Sequence, residues 1–265
     1  MKKLTLILAA ATLSAAASAQ TVSDLSTDFQ TRTGITADWK IARGLHLEGG
    51  YELRSRKNMS DIASHRVSLG MTYKFTSGIK TGIEYTYIHH HKSNALTWSP
   101  RHRISASASY TLKSGDWRFS LKEQLRLTHK NGANECEEPV NAFTLKSRIK
   151  VSYKGFGKIE PYAFIEGRNL LNAALVNATY STASGKWANY SFGGYGFVKP
   201  YFNRVRGAIG LEWELSKHSA VDFCIMEDYC YERNIDVNKD RNTLNSFTLD
   251  PALYTIANIG YKFSF

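Results

Sequence analysis

Nine basic side chains recur at alternate positions of strand-like segments in this 265-residue chain: Arg54, Arg66, Arg103, Arg118, Lys122, Arg126, Arg148, Arg204 and Arg206. Alternate side chains of a strand share a face, and each of these falls on the face opposite a row of apolar residues. Glu166 and Glu212 lie on that charged face too, with Glu52, Glu84 and Glu214. A guanidinium offers paired N–H donors to carboxylates and phosphates. Two chemistries follow from this set. The charges can neutralise one another and fill a closed interior, or they can form a ladder that passes small anions through an open one.

A second cluster is His89, His90, His91, Lys92, Ser93, Asn94 and Ala95, just beyond Tyr85 and Tyr87. Strand parity turns His91 and Ser93 outward, where an imidazole base could activate a serine against a lipid ester. This run resembles, at four of five positions, the His, any residue, Ser, Asn, Gly motif of outer-membrane phospholipase A. The resemblance implies lipid hydrolysis with His91 and Ser93 as the catalytic pair. Ala95 stands where that family has glycine, and no outward Asn follows to orient His91. The expectation is therefore no enzyme, with lipid hydrolysis as the alternative. No cofactor and no metal site is expected, the histidines being solvated rim residues or adventitious ligands. Cys224 and Cys230 share one strand face too far apart to bridge each other, whereas Cys136 in a loop could reach Cys230 in an exported compartment.

The elements that would position these residues are strands. From Leu253 to Phe265 nearly every odd position is large or apolar, while Asn258, Gly260, Lys262 and Ser264 occupy the other face. A closing strand ending in Tyr261, Phe263 and Phe265 resembles the assembly signal of Gram-negative outer-membrane barrels. The same alternation begins at Phe29–Ile41 and Leu45–Arg54. It recurs through segments centred on Leu69, Tyr85, Ala106, Leu121, Ile149, Ala163, Ile209 and Ile225. Glu123 breaks the outward face of its segment. Short turns near residues 43, 77, 114, 156 and 217 alternate with longer connections near 60, 95, 135, 183 and 241, the rhythm of periplasmic turns and extracellular loops.

This pattern predicts an all-β fold, a transmembrane antiparallel up-and-down β-barrel. Eleven segments are convincing, but bacterial barrels of one chain have even strand numbers. A weak extra strand between Thr21 and Asp28 brings the expectation to about twelve, with ten as the fallback. An upward first strand would then close against the descending last one. The connection from Asn169 to Lys199 is long enough for a further hairpin. Its Trp187, Tyr190, Phe192, Tyr195 and Phe197 could extend the wall or cover the mouth.

Lys2 and Lys3, the apolar run Leu4–Leu13 and the small residues Ala17, Ser18 and Ala19 predict a cleaved signal peptide over 1–19, leaving a barrel over 20–265. No stretch approaches the roughly 20 apolar residues of a membrane helix. Beyond the signal, 32 basic residues face 23 acidic ones. Nucleic acid is not expected as a partner outside the cell, so this balance points to lipopolysaccharide phosphates or small anions.

Arg101, His102 and Arg103, then Trp117 with Gln124 and Arg126, Lys146 to Arg148, Glu160 to Tyr162, Glu166 and Arg204 form a spaced array. It resembles that of a family of small outer-membrane barrels from Bacteroidota, known only as a domain of unknown function. The resemblance implies a monomer in the cell outer membrane, in contact with outer-membrane lipid, lipopolysaccharide and the barrel-assembly machinery. It implies no activity. The expected role is structural, or a narrow passage for small anionic solutes.

Overall fold

The computed structural model describes residues 21–75, 78–92, 97–133, 138–182, 186–238 and 243–265. Wherever apolar and polar residues alternate, the backbone is extended. The strands are β1 (Thr21–Val22), β2 (Ser26–Ala42), β3 (Leu45–Arg56), β4 (Asp61–Lys74), β5 (Ile79–Lys92), β6 (Thr97–Ser114) and β7 (Trp117–Lys130). They continue as β8 (Asn141–Tyr153), β9 (Ile159–Leu170), β10 (Ala173–Ser181), β11 (Lys186–Gly196), β12 (Tyr201–Ser216), β13 (Ser219–Asn238) and β14 (Thr243–Ser264).

Eleven of these, β2 to β9 and β12 to β14, pair in succession as antiparallel neighbours, and β14 returns to β2 to close the ring. The closing pair is parallel, in register from Ala252 opposite Ser26 to Ser264 opposite Asp38. This corrects the expectation of twelve strands with an antiparallel closure. β1 exists, but it pairs in parallel with Thr248 and Leu249 of β14, the strand that also holds β2. Residues 21–42 thus form one interrupted stave beside β14 rather than two opposed ones. Directions alternate around the wall, so an odd number of staves makes the first and last run the same way. Both descend toward the short-turn end.

That seam is fastened at its lower end. The Phe265 amide donates to the Asp38 carbonyl at 2.9 Å. The Phe265 ring lies 5.8 Å from Trp39 across the seam and 4.6 Å from Phe263. The turns below the wall are tight. At Gly44 (φ 78°) a Cβ would stand 2.6 Å from the Lys74 carbonyl oxygen, so only glycine fits the β2–β3 turn.

At the opposite end, the expected longer connection near residue 60 is a compact turn. Lys57, Asn58 and Met59 all have positive φ, at 53°, 50° and 68°. Three non-glycine residues hold this left-handed path because Asp28 accepts from the amides of Lys57 (3.0 Å) and Asn58 (2.7 Å). The predicted extra hairpin is β10–β11. It leaves the wall between β9 and β12 and meets the edge of β14 at one bridge, Ser191 opposite Thr243.

Side chains sort by parity. Ile35 is 59% exposed and Ile209 68%, and Leu69, Ile83, Ile104, Ile149 and Ile225 face outward with them. An apolar surface that continues around a closed wall has no counterpart in soluble monomers, and it suits hydrocarbon as solvent. Rings gather at both its edges. Trp117 with Tyr153 (4.9 Å) and Tyr73 with Phe75 (4.7 Å) lie by the short turns, and Tyr85, Tyr87 and Trp98 toward the long connections. Two glutamates share this outer face. Glu123 accepts from Ser147 Oγ at 2.6 Å and Glu227 from Thr255 Oγ1 at 2.9 Å, each across one strand boundary.

Candidate functional site: a divided lumen

The inward residues do not line the lumen evenly. Along β12, β13 and β14 they include Ala208, Cys224, Met226 and Ile256, buried together with Tyr162, Phe164 and Tyr254 packed against them. Two cations cover this patch from the lumen side: Arg148 lies 4.3 Å from the centre of the Phe164 ring, and Lys150 Nζ 3.9 Å from that of Tyr162. The patch therefore fills space instead of lining a channel. Cys224 and Cys230 are both free and buried in it or above it. Cys136 falls outside the described residues.

Above the apolar patch lies a paired charge cluster centred on Glu166, which is 3% exposed. Its Oε1 meets Lys146 Nζ at 2.6 Å and Arg206 Nη1 at 3.2 Å, and its Oε2 accepts from Arg148 at 2.5 and 2.9 Å. Arg206 also holds Asp228 through Nη2 at 2.5 Å, and Arg204 approaches the other Asp228 oxygen at 3.4 Å. Further round the wall, Glu52 pairs with Arg54 at 2.6 Å and Arg66 at 3.8 Å. Near the lower end Glu212 pairs with Lys262. On this side each of these carboxylates meets one or more cations.

Cations without an ion pair among the described residues include Arg32 on β2, buried with its Nε unpartnered, and a set on β6 and β7. Arg103 Nε donates only to Thr128 Oγ1 (3.0 Å) and Arg126 Nε only to Gln124 Oε1 (3.0 Å). Among the described residues, Arg101, Arg103, Lys122 and Arg126 have no carboxylate oxygen within ion-pairing distance. Arg101 Nε is buried without a hydrogen-bond partner. The register explains how the two β7 cations fit here: Ser105 stands opposite Arg126, Ser107 opposite Gln124 and Ser109 opposite Lys122. Small side chains on β6 leave room for large ones on β7. Successive inward positions on one strand are about 7 Å apart, so the cations form a vertical column.

The lower part of the column, Arg126 and Lys122, faces open volume. A cavity of about 140 Å³ at mid-height is bounded by Glu84, Lys122, Gln124, Arg126, Lys146, Arg148 and Glu166. A second, of about 90 Å³, shares Glu84, Lys122 and Gln124 with it and continues toward Lys80 and Glu48. Glu48 is held there by Lys80 at 2.7 Å and Thr72 at 2.9 Å. The predicted set therefore divides. Arg148, Arg204, Arg206, Arg54, Arg66, Glu166 and Glu212 belong to the paired side, and Arg103, Lys122 and Arg126 to the unpaired column. Arg118 lies below that column, nearer the turn. Lys146 and Asp228 complete the paired side and lie outside the set expected from sequence. The inward serine row opposite β7 was the readable sign that its cations stand alone.

At the outer rim, the His91 Nδ1 lies 3.0 Å from Asp61 Oδ1 and 3.2 Å from Arg56 Nη2, and its ring centre is 4.8 Å from that of Trp98. His65 and His89 adjoin the same indole at 5.4 and 4.6 Å. Asp61 also holds Arg56 at 2.9 Å, and the Arg56 hydrogen bond keeps its carboxyl below the usual aspartate range. Ser93, the proposed partner of His91, lies outside the described residues. Among the described residues no group of three or more potential ligands could hold a metal ion.

Fold and site together define a transmembrane-type β-barrel whose outer wall is apolar and whose lumen is half filled and half cationic. No family's sequence profile matches the chain, and no curated protein is similar to it. Among solved structures, it is similar to an anion-selective porin from Comamonas acidovorans, at 12% identity and a TM-score of 0.33. The match covers 83% of this chain, which spans about half (53%) of that porin.

Proposed function

We propose that this protein is a barrel of the Gram-negative outer membrane that passes small anions through a narrow, one-sided lumen. The observation that carries the reading is the column Arg101, Arg103, Arg126 and Lys122, cationic and without ion-pair partners among the described residues, whose Arg126 and Lys122 line the mid-height cavity. A barrel kept only for structure gains nothing from desolvated cations left unpaired, because each costs free energy that a carboxylate would offset. Cations facing water along a passage recover that cost when anions traverse it. The outer wall and its aromatic edges support the membrane location, and the basic balance of the chain suits lipopolysaccharide phosphates at the rim.

Conductance across planar bilayers with a salt gradient tests the passage. A reversal potential of the sign set by anions supports it, and absence of conductance by the folded protein refutes it. Migration on gels with and without boiling checks that the barrel is folded in both cases. A second reading, lipid hydrolysis at the rim, is favoured by one observation: Asp61 supplies an orienting acceptor for His91 in place of the missing outward Asn. Phospholipid turnover that Ser93→Ala abolishes would establish it, and turnover unaffected by that change would remove it.

A further inference from the structure

We infer that the mid-height cavity is a binding site for one small divalent oxoanion of the sulfate and phosphate class, held among Lys122, Arg126, Lys146 and Arg148. The inference rests on the passage reading, which gives the anion its route from water to the cavity.

Charge sets the valence. The lining carries four cations, Lys122, Arg126, Lys146 and Arg148, and two carboxylates, Glu84 and Glu166, leaving a formal excess of two positive charges. A monovalent ion neutralises half of it. Donor supply points the same way. Lys122 has neither an ion pair nor a side-chain hydrogen bond among the described residues, and Arg126 spends only Nε on Gln124. Arg148 spends Nε and Nη2 on one Glu166 oxygen, which leaves Nη1. The register sets these donors at adjacent levels, Arg148 opposite Lys122 and Lys146 opposite Gln124. A tetrahedral oxoanion, with acceptors pointing in four directions, uses such a surround better than a planar carboxylate.

Lining chemistry sets the class. All seven lining residues are polar or charged. The nearest rings, Phe164 and Tyr162, are covered by Arg148 and Lys150 and offer no stacking platform for a sugar acid or an aromatic acid. The volume, about 140 Å³, is roughly ten times the 10–15 Å³ that one water requires, so the cavity is roomy enough for a hydrated or partly dehydrated inorganic anion.

The test is isothermal titration calorimetry on the full-length barrel, folded in detergent micelles at pH 8, with sodium sulfate, inorganic phosphate or sodium chloride at fixed ionic strength. Saturable binding of about one sulfate or phosphate per barrel is expected, with no saturation by chloride over the same range. Lys122→Met and Arg126→Gln, each checked for heat-modifiable migration, should weaken binding tenfold or more. Lys122 has no protein partner to lose, so its variant tests the site even if Arg126→Gln folds poorly. Absence of saturable binding by either oxoanion, or binding that neither variant weakens tenfold, overturns the inference. Conductance on the same preparation separates the two readings. Anion-selective current without saturable binding removes the site and leaves the passage, and saturable binding in a non-conducting barrel does the reverse.

Discussion

Replacing Glu166 with glutamine should weaken the barrel while strengthening its preference for anions. The carboxylate is buried, and it holds Lys146 at 2.6 Å, Arg148 at 2.5 Å and Arg206 at 3.2 Å. An amide keeps one acceptor oxygen but turns N–H donors toward the same cations. Removing one partner from a buried ion cluster costs about 3–5 kcal/mol, and the retained acceptor places this change near the lower end, about 3 kcal/mol. With a urea dependence of about 3 kcal/mol per molar, the unfolding midpoint should fall by about 1 M. The formal excess around the mid-height cavity rises from two to three, because Glu166 is one of its two carboxylates. Urea titration read by gel migration and by tryptophan fluorescence measures the first effect, and the reversal potential in a salt gradient the second. The double variant Glu166→Gln with Lys146→Met should recover part of the stability, since one stranded cation is gone. A midpoint shift below about 0.3 M, together with an unchanged reversal potential, would refute the view that Glu166 anchors the network and tempers the cavity.

Glu123→Leu should stabilise the folded barrel in lipid by about 1–2 kcal/mol, because a carboxylate on the lipid face at mid-height costs more than its bond to Ser147 returns; a lower urea midpoint than wild type would contradict this. Cysteines at Thr33 and Ile259, opposite each other across the parallel seam, should form an oxidised cross-link, whereas cysteines at Thr33 and Phe263, four residues along β14 from that partner, should not. Cross-linking only in the second variant would refute the parallel register. In the connection after β7, burial pulls the Glu138 carboxyl up, but the Lys130 ammonium at 2.5 Å outweighs it and holds the group below its ordinary 4.5. A depressed carboxyl stabilises above the ordinary value and loses that contribution as pH falls through its folded value. Hydrogen exchange at the Lys130 amide, corrected for intrinsic rates, should therefore lose protection below about pH 4.5, and Glu138→Gln should abolish that dependence.

The wall was legible because its signal is the period of two itself. Ile35 and Trp39, Leu69 and Met71, or Phe223 and Ile225 each repeat outward whatever the neighbouring strand does. Closure was not legible, because parity depends on which way the first stave runs. Thr21–Val22 and β2 point the same way along β14, a relation between residues over 200 positions apart. The inward charges were legible as a set but not as pairs. Arg148 and Arg126 occupy equivalent inward positions, yet only Arg148 meets Glu166, since β9 brings that carboxylate to β8 and no acid lies inward on β6 beside Arg126. Local alternation tells which face a residue takes, and the ring order of strands decides what it meets there.

That ring order also accounts for why the lumen is divided where it is. Parallel pairing is slightly less stable per residue than antiparallel, and the β14–β2 seam is the parallel boundary between the closing strands of the ring. The strands beside it carry the interior filling: Ile256 and Tyr254 on β14, Cys224, Met226 and Asp228 on β13, Ala208 and Arg206 on β12. Packed side chains and paired charges behind these staves resist their separation from the inside. Counting from the seam in either direction, β7 is the sixth stave, the one opposite. There the wall is antiparallel on both sides and in unbroken register with β6 and β8. It needs no filling behind it, so Lys122 and Arg126 can face open volume. The same closure that sacrifices an even strand count thus assigns one half of the interior to holding the barrel shut and leaves the other half open.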